Sequence, residues 1–302
     1  MTAASPRLPD FFIIGAAKAG TTTLFDLLRQ HPQVYFPFAK EPAFFSDDDE
    51  YAKGVGWYQD TYFRHAGASA VAGEATSMYL AWGSKVLPRL LPLYPAGPPR
   101  FIAIFREPVS LAYSYYWHSV REGRETLPFR EALAAESARL QQHGDALQRS
   151  GRLFYAYRRL AQYATQLQPY VASLPPERCL FLLTEDLQDA PALMRRLEAF
   201  LGLGPSTGIA QVSSNRAAQP SHPRLRQWLR GPSAVKTVLK PLLPAGVRHA
   251  LKERAADALL RPFTPPPIEL DLASGLRRHY ADEMKQLERI IARDLSAWYA
   301  GA

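Results

Sequence analysis

The 302-residue chain has a single cysteine, Cys179, so no disulfide can form within it, and small scaffolds stapled by sulfur are excluded. Cys179 lies in the apolar run Cys179-Leu180-Phe181-Leu182-Leu183 and reads as a strand residue. No apolar run reaches the roughly 20 residues that a membrane-spanning helix needs. The opening MTAASPRLPD also lacks the basic patch and long apolar stretch of a secretory leader, so a cytoplasmic location is expected. Zinc-finger and RNA-binding signatures are missing, as are internal repeats. The basic residues behind a formal charge of +8 are scattered rather than blocked. That pattern argues against nucleic acid and for a compact, multiply charged anion. One absence is local. The nucleotide-binding loop G-x-x-x-x-G-K-[ST] requires a lysine after its second glycine. Gly15 and Gly20 keep the spacing, but Thr21 takes the lysine's place and the lysine lies inside the loop, at Lys18.

What is present around that loop is a strand, a turn and a helix start. Phe11-Phe12-Ile13-Ile14 is a buried strand, and Thr21-Thr22-Thr23 opens a segment with Leu24, Leu27 and Leu28 at helical spacing. Free amides and the positive end of the helix dipole then converge on one point, which is a cradle for phosphate. Hydrophobic content of 47% and aromatic content of 12% fit a folded globular chain, organised as a single domain over 1–302. Further strands are predicted at Val34–Phe36, Val71–Thr76, Arg100–Phe105 and Arg178–Glu185. Helices are predicted at Ser84–Leu91, Phe129–Leu140, Phe154–Leu167, Ala190–Leu201 and Leu276–Tyr299. Strands alternating with helices give an α/β, P-loop-like three-layer fold, its central, mainly parallel sheet flanked by helices. The ligand crevice is expected beyond the carboxyl ends of the strands.

Several side chains are candidates for that crevice. Arg106 follows the RFIAIF strand and precedes Pro108, a helix start. Ser110 and Ser114 share a face of that helix, so Arg106 and Ser114 can converge on one anion, although strand-end arginines also serve as plain ion-pair partners. Glu41 precedes Pro42, which predicts an extended backbone. It is either a general base at the edge of the apolar Phe44-Phe45 pair or the surface partner of Lys40. The acidic run Asp47-Asp48-Asp49-Glu50 reads as a solvated face. Asp186 is placed to cap the helix after its strand. The Pro-, Gly- and Ser-rich stretch of about 204–267 is expected to shape specificity. Its basic amphipathic pieces, Leu225–Leu229 and Val247–Leu260, are expected to pack on the domain rather than on a membrane.

With Lys18-Ala19-Gly20-Thr21-Thr22-Thr23 and Arg106-Glu107-Pro108…Ser114 both in view, the chain resembles the sulfotransferases that use 3′-phosphoadenosine 5′-phosphosulfate (PAPS). It looks closest to their bacterial members and to the heparan sulfate branch. Lys40-Glu41-Pro42-Ala43-Phe44-Phe45 resembles the segment holding that branch's glutamate base. GVGWY at Gly54–Tyr58, TEDL at Thr184–Leu187, FLGL at Phe200–Leu203 and the terminal Arg293–Trp298 extend the likeness from about Phe11 to Trp298. The resemblance implies Lys18 at the oxygen bridging phosphate and sulfur, and residues 18–23 around the 5′-phosphosulfate. It implies Arg106 and Ser114 on the 3′-phosphate, and Glu41 as base. His118 falls where some members carry an auxiliary histidine. Arg216 falls where a basic loop closes over the cofactor, and Glu74 near where the acceptor is contacted. Ala75 stands where the heparan 3-O branch has a glycan-contacting lysine, which weakens the case for a heparan-like acceptor.

The expected reaction is metal-free sulfuryl transfer to a hydroxyl, in preference to an amine, of a saccharide, glycolipid or hydroxylated natural product, with release of adenosine 3′,5′-bisphosphate (PAP). The sequence leaves acceptor and oligomeric state open. A P-loop kinase or NTPase is the rival enzyme, disfavoured by Thr21. A non-catalytic nucleotide- or polyanion-binding protein is the rival from another class.

Overall fold

The most apolar runs of the sequence become the middle of a parallel sheet. A computed structural model describes residues 7–66, 71–206 and 263–300, and the backbone alone of 218–220 and 260–262. Strands β1 (Phe11–Gly15), β2 (Val34–Tyr35), β3 (Val71–Ala75), β4 (Arg100–Phe105) and β5 (Cys179–Leu183) pair in the order β2-β3-β1-β4-β5, every pair parallel. Burial on both faces demands side chains that are apolar without alternation, and β1 is buried throughout. Phe12 stacks on Phe101 of β4 at 5.8 Å. Such rings contribute about 1.5–3 kcal/mol each when fully buried.

The helices follow the chain as α1 (Thr21–Leu28), α2 (Asp48–Tyr51), α3 (Val55–Tyr58), α4 (Gly83–Leu90), α5 (Pro108–Arg121) and α6 (Phe129–Gln142). After them come α7 (Gly144–Ser150), α8 (Tyr163–Ser173), α9 (Ala190–Leu201), α10 (Leu270–Ile291) and α11 (Ser296–Tyr299). From β1 the chain builds first towards β3 and then crosses to β4 on the other side. That reversal opens a crevice at the carboxyl end of β1, where ligands bind in open α/β sheets. Among the described residues, no helix is long and apolar enough to cross a membrane.

Several predicted details shift. The helix expected at Phe154–Leu167 starts only at Tyr163 and runs on through Pro169. Tyr155 has φ +63°, and Glu136 of α6 accepts the amides of Arg158 and Arg159, which fixes a tight turn instead. Asp186 does not cap α9. It accepts the Leu183 amide and pairs with Arg293 and Arg196, while Asp189 caps the helix through the Ala192 amide. The acidic run is tied down rather than merely solvated: Asp47 caps α2, Asp48 meets Lys85 at 2.9 Å, and Asp49 meets Arg149 at 2.7 Å. The terminal segment is two helices, because Ala292 turns to φ +51°. Cys179 is half-buried, and burial pushes its thiol up to about 11. Most of the 204–267 stretch lies outside the described residues, as does Arg216.

Candidate active site

The loop after β1 owes its shape to two glycines. Gly20, at φ +110°, caps α1 with no side-chain bond, and a Cβ there would lie 2.6 Å from Leu187 Cδ1. At Gly15 a Cβ would lie 2.8 Å from the Ser77 carbonyl oxygen. Among the described residues, no side chain takes the first amides of α1, which leaves them available to an anion. The loop's carbonyls are drawn away from that point. Arg106 donates to the Lys18 oxygen at 3.3 Å. The Thr184 hydroxyl lies 2.8 Å from the Ala19 oxygen and 3.0 Å from the Phe105 oxygen. Tyr163 donates to the Arg106 carbonyl at 2.9 Å, fixing the strand end itself.

Lys18 projects from this loop at φ +67°. Its pKa is lowered to about 8, first by burial and then by the charges of Arg121, Arg106 and Lys40, with Glu41 pulling the other way. Opposite it, the backbone at Glu41 departs from the extended form expected before proline: φ is +62°, and Ala43 follows at +57°. The turn is held from outside, because the Glu41 amide donates to the Ala75 oxygen at 2.9 Å and the Ala43 amide to Thr76 Oγ1 at 3.3 Å. Residues in this region cost on the order of 1–3 kcal/mol each and persist where surroundings over-determine them. Glu41 Oε1 accepts from Ser77 Oγ at 2.9 Å and from Lys40 Nζ at 3.1 Å, and Lys40 also reaches Thr22 Oγ1 at 3.1 Å. The ion pair with Lys40 and a place in the site are therefore not alternatives; both hold.

Lys18, Gly20, Thr21, Thr22, Lys40, Glu41 and His118 line one cavity of ≈ 520 Å³, together with Ser77, Arg121, Arg124 and Arg152, which the sequence alone does not single out. Arg121 donates to His118 Nδ1 at 2.9 Å. Arginine carries only donors, so Nδ1 accepts and the neutral ring's proton sits on Nε2. Arg106 and Ser114 lie outside the cavity lining; Arg106 grips the loop from behind, and Ser114 is half-buried on α5. Ala19 is buried beneath the loop, and Thr23 is half-buried in the first turn of α1. Glu74 does not reach the cavity, contrary to its expected acceptor contact. It is fully buried, accepts from Tyr58 and from Thr76 Oγ1, and burial raises its pKa. Its contribution is to hold Thr76, and through it the Ala43 amide.

A model of the sulfotransferase domain matches residues 8–219, which carry β1, the loop, the Glu41 turn and α5. The chain belongs to the sulfotransferase family. It is 31% identical over 205 residues to mouse heparan sulfate glucosamine 3-O-sulfotransferase 3B1, covering 67% of this chain and 48% of the relative. It is 30% identical over 214 residues to human bifunctional heparan sulfate N-deacetylase/N-sulfotransferase 2, covering 66% of this chain and 22% of that protein. The match thus spans about half of the first relative and about a fifth of the second. A solved sulfotransferase from Alicyclobacillus acidocaldarius superposes with a TM-score of 0.67 at 28% identity, over 97% of this chain and 99% of that one.

Proposed function

We propose that this chain transfers a sulfuryl group from PAPS to a hydroxyl, in preference to an amine, of a saccharide, glycolipid or hydroxylated natural product, releasing PAP. The observation that carries the reading is Lys18: a cation with its pKa lowered to about 8, in a loop that offers free amides, facing a carboxylate across one cavity. The residues fit the donor's charge distribution. An uncapped helix start and two lysines suit the phosphosulfate end, and an arginine at a strand terminus suits a second phosphate. When bound, PAPS supplies a sulfuryl group on a phosphate leaving group.

In this reading the amides of Gly20–Thr23 and the threonine hydroxyls hold the 5′-phosphosulfate, and Arg106 and Ser114 hold the 3′-phosphate. Lys18 stabilises charge developing on the bridging oxygen, the part that a metal plays in many phosphoryl transfers. A lysine of lowered pKa is the better proton donor there. Glu41 takes the acceptor's proton, oriented by Ser77 and Lys40. His118 acts as a donor through Nε2 rather than as a second base, since Nδ1 is already engaged by Arg121. Arg216 is assigned to closing the donor site, and the stretch of about 204–267 to acceptor choice.

The test pairs PAP calorimetry with transfer of labelled sulfate from PAPS to a panel of hydroxyl- and amine-bearing acceptors. Binding and transfer are both expected. Glu41→Gln should retain PAP affinity and lose about 10²-fold or more in turnover. PAP binding without transfer across the panel would leave a binding protein, and failure to bind PAP would sink the donor assignment.

A further inference from the structure

The cavity wall away from the Lys18 loop carries charge that the donor does not use. Arg124 lies just past the C-terminus of α5, and Arg152 follows the turn at Gly151. Both guanidinium groups sit over the ring of Phe154, with Cζ 4.6 Å and 6.0 Å from its centroid. All three residues line the same cavity as Lys18 and Glu41.

Three half-buried arginines of the fold, Arg139, Arg158 and Arg293, are paired with carboxylates, Glu125, Glu136 and Asp186. Among the described residues, Arg124 and Arg152 have no ion pair, and Arg124 Nε is buried without a hydrogen-bond partner. Burial and the nearby charge of Arg152 both lower the pKa of Arg124, the sign of a cation held where its charge is unwelcome.

The supports are rigid. Next to Arg124, Glu125 is buried and accepts from the Thr126 and Leu127 amides, the Tyr157 hydroxyl and Arg139. Next to Arg152, Gly151 packs so closely that a Cβ would lie 2.5 Å from the Ser46 carbonyl oxygen. An aromatic ring engages a guanidinium through its π-face and takes no N–H hydrogen bond in the plane of the cation, so such a contact leaves donors for an oxyanion.

We propose that Arg124 and Arg152 form an oxyanion subsite for the acceptor, so that the molecule sulfated by this chain carries a carboxylate, sulfate ester or phosphate close to its attacking group. This rests on the sulfotransferase reading, in which Lys18, the loop amides, Arg106 and Ser114 already account for the donor's charges. It narrows the acceptor from hydroxylated compounds at large to anionic ones.

The test is calorimetric and does not depend on turnover. PAP-loaded protein is titrated with methyl glucoside, methyl glucuronide, glucose 6-sulfate and glucose 6-phosphate, and the same titrations are run without PAP. At least one charged probe should bind about tenfold or more tightly than methyl glucoside, the size of one charge-assisted hydrogen bond. Which probe gains most identifies the oxyanion. Arg124→Gln and Arg152→Gln should each remove most of that preference with PAP affinity unchanged. Arg152 is exposed, so its variant keeps the test meaningful if Arg124→Gln fails to fold. No preference for any charged probe, absence of binding by all four, or a preference that survives in the double variant would overturn the proposal. Loss of PAP binding with the preference intact would instead strike the donor assignment and leave the subsite standing.

Discussion

The two walls of the cavity are built by opposite means. On the side of the Lys18 loop, backbone does most of the work: the 15–20 loop and the 41–43 turn hold Lys18, Glu41 and Ala43 in the left-handed region, pinned by main-chain bonds from Ala16 to Ile104 of β4 and from Glu41 to Ala75 of β3, with Arg106 gripping the Lys18 carbonyl. On the other side, Tyr115, His118, Arg121, Arg124, Arg152 and Phe154 are themselves in ordinary helix and loop conformations, with Gly123, Gly151 and Tyr155 at positive φ beside them. There, buried carboxylates and aromatic packing fix the geometry. Backbone strain gives a site that tolerates few changes. Side-chain placement gives one that can change its ligand without changing its fold.

The sharpest way to break this contrast is to remove a carboxylate that holds the second wall. Glu125, with its side chain wholly buried, balances Arg139 and three further donors, so Glu125→Ala should cost about 3–5 kcal/mol, read by urea denaturation. Partners hold its carboxyl pKa below the usual value of 4.5. A carboxyl lowered by folding stabilises above its unfolded pKa and loses that stabilisation as pH falls through the folded one. Wild-type stability should therefore decline below about pH 4.5 more steeply than that of the variant. A variant as stable as the wild type would remove the rigid support claimed for Arg124.

Lys18→Ala comes next. Turnover should fall about 10²–10³-fold, as when one preorganised donor is lost, while the free protein melts no lower than the wild type. The second half follows from charge: a lysine lowered from 10.5 to about 8 is an unfavourable charge in the folded state. A large drop in melting temperature would mean that Lys18 holds the loop together instead. By the same linkage, the free wild-type protein should gain stability between pH 8 and 10.5 as this lysine sheds its proton.

The smallest effect is the most diagnostic. PAP affinity should be flat below pH 8 and fall about tenfold per pH unit above it, because binding then requires Lys18 to take up a proton. Lys18→Gln should flatten the profile. Calorimetry across pH 6–10 reads both, and an unchanged slope in the variant would assign the proton to another group.

The same contrast governs what the sequence discloses. A loop built from backbone geometry needs glycine at fixed places, so Gly15, Gly20 and the displaced Lys18 are visible as a pattern. The strand ends that carry Arg106 are visible as apolar runs. The second wall leaves no such mark. Arg124 and Arg152 are separated by α6 and α7 and obey no spacing, and their meeting depends on Phe154 and on a turn at Tyr155 that interrupts what reads as a continuous helix. Glu41 is findable by residue type, but its conformation is not, because the hydrogen bond its amide donates to the Ala75 carbonyl of β3 overrides the preference of a residue before proline. Glu74 was visible and misplaced: a carboxylate near a strand end invites a functional role, and only the Tyr58 and Thr76 hydroxyls reveal that it faces inward.

Thr184 closes the account of the loop. Its hydroxyl sits within bonding distance of two carbonyl oxygens, Ala19 at 2.8 Å and Phe105 at 3.0 Å, yet a hydroxyl has one proton to give. That one proton is therefore shared by the two carbonyls, and a single side chain ties the peptide oxygen of Ala19, inside the loop, to the end of β4. Loop and strand end thus have a common anchor, and removing the hydroxyl would loosen both at once.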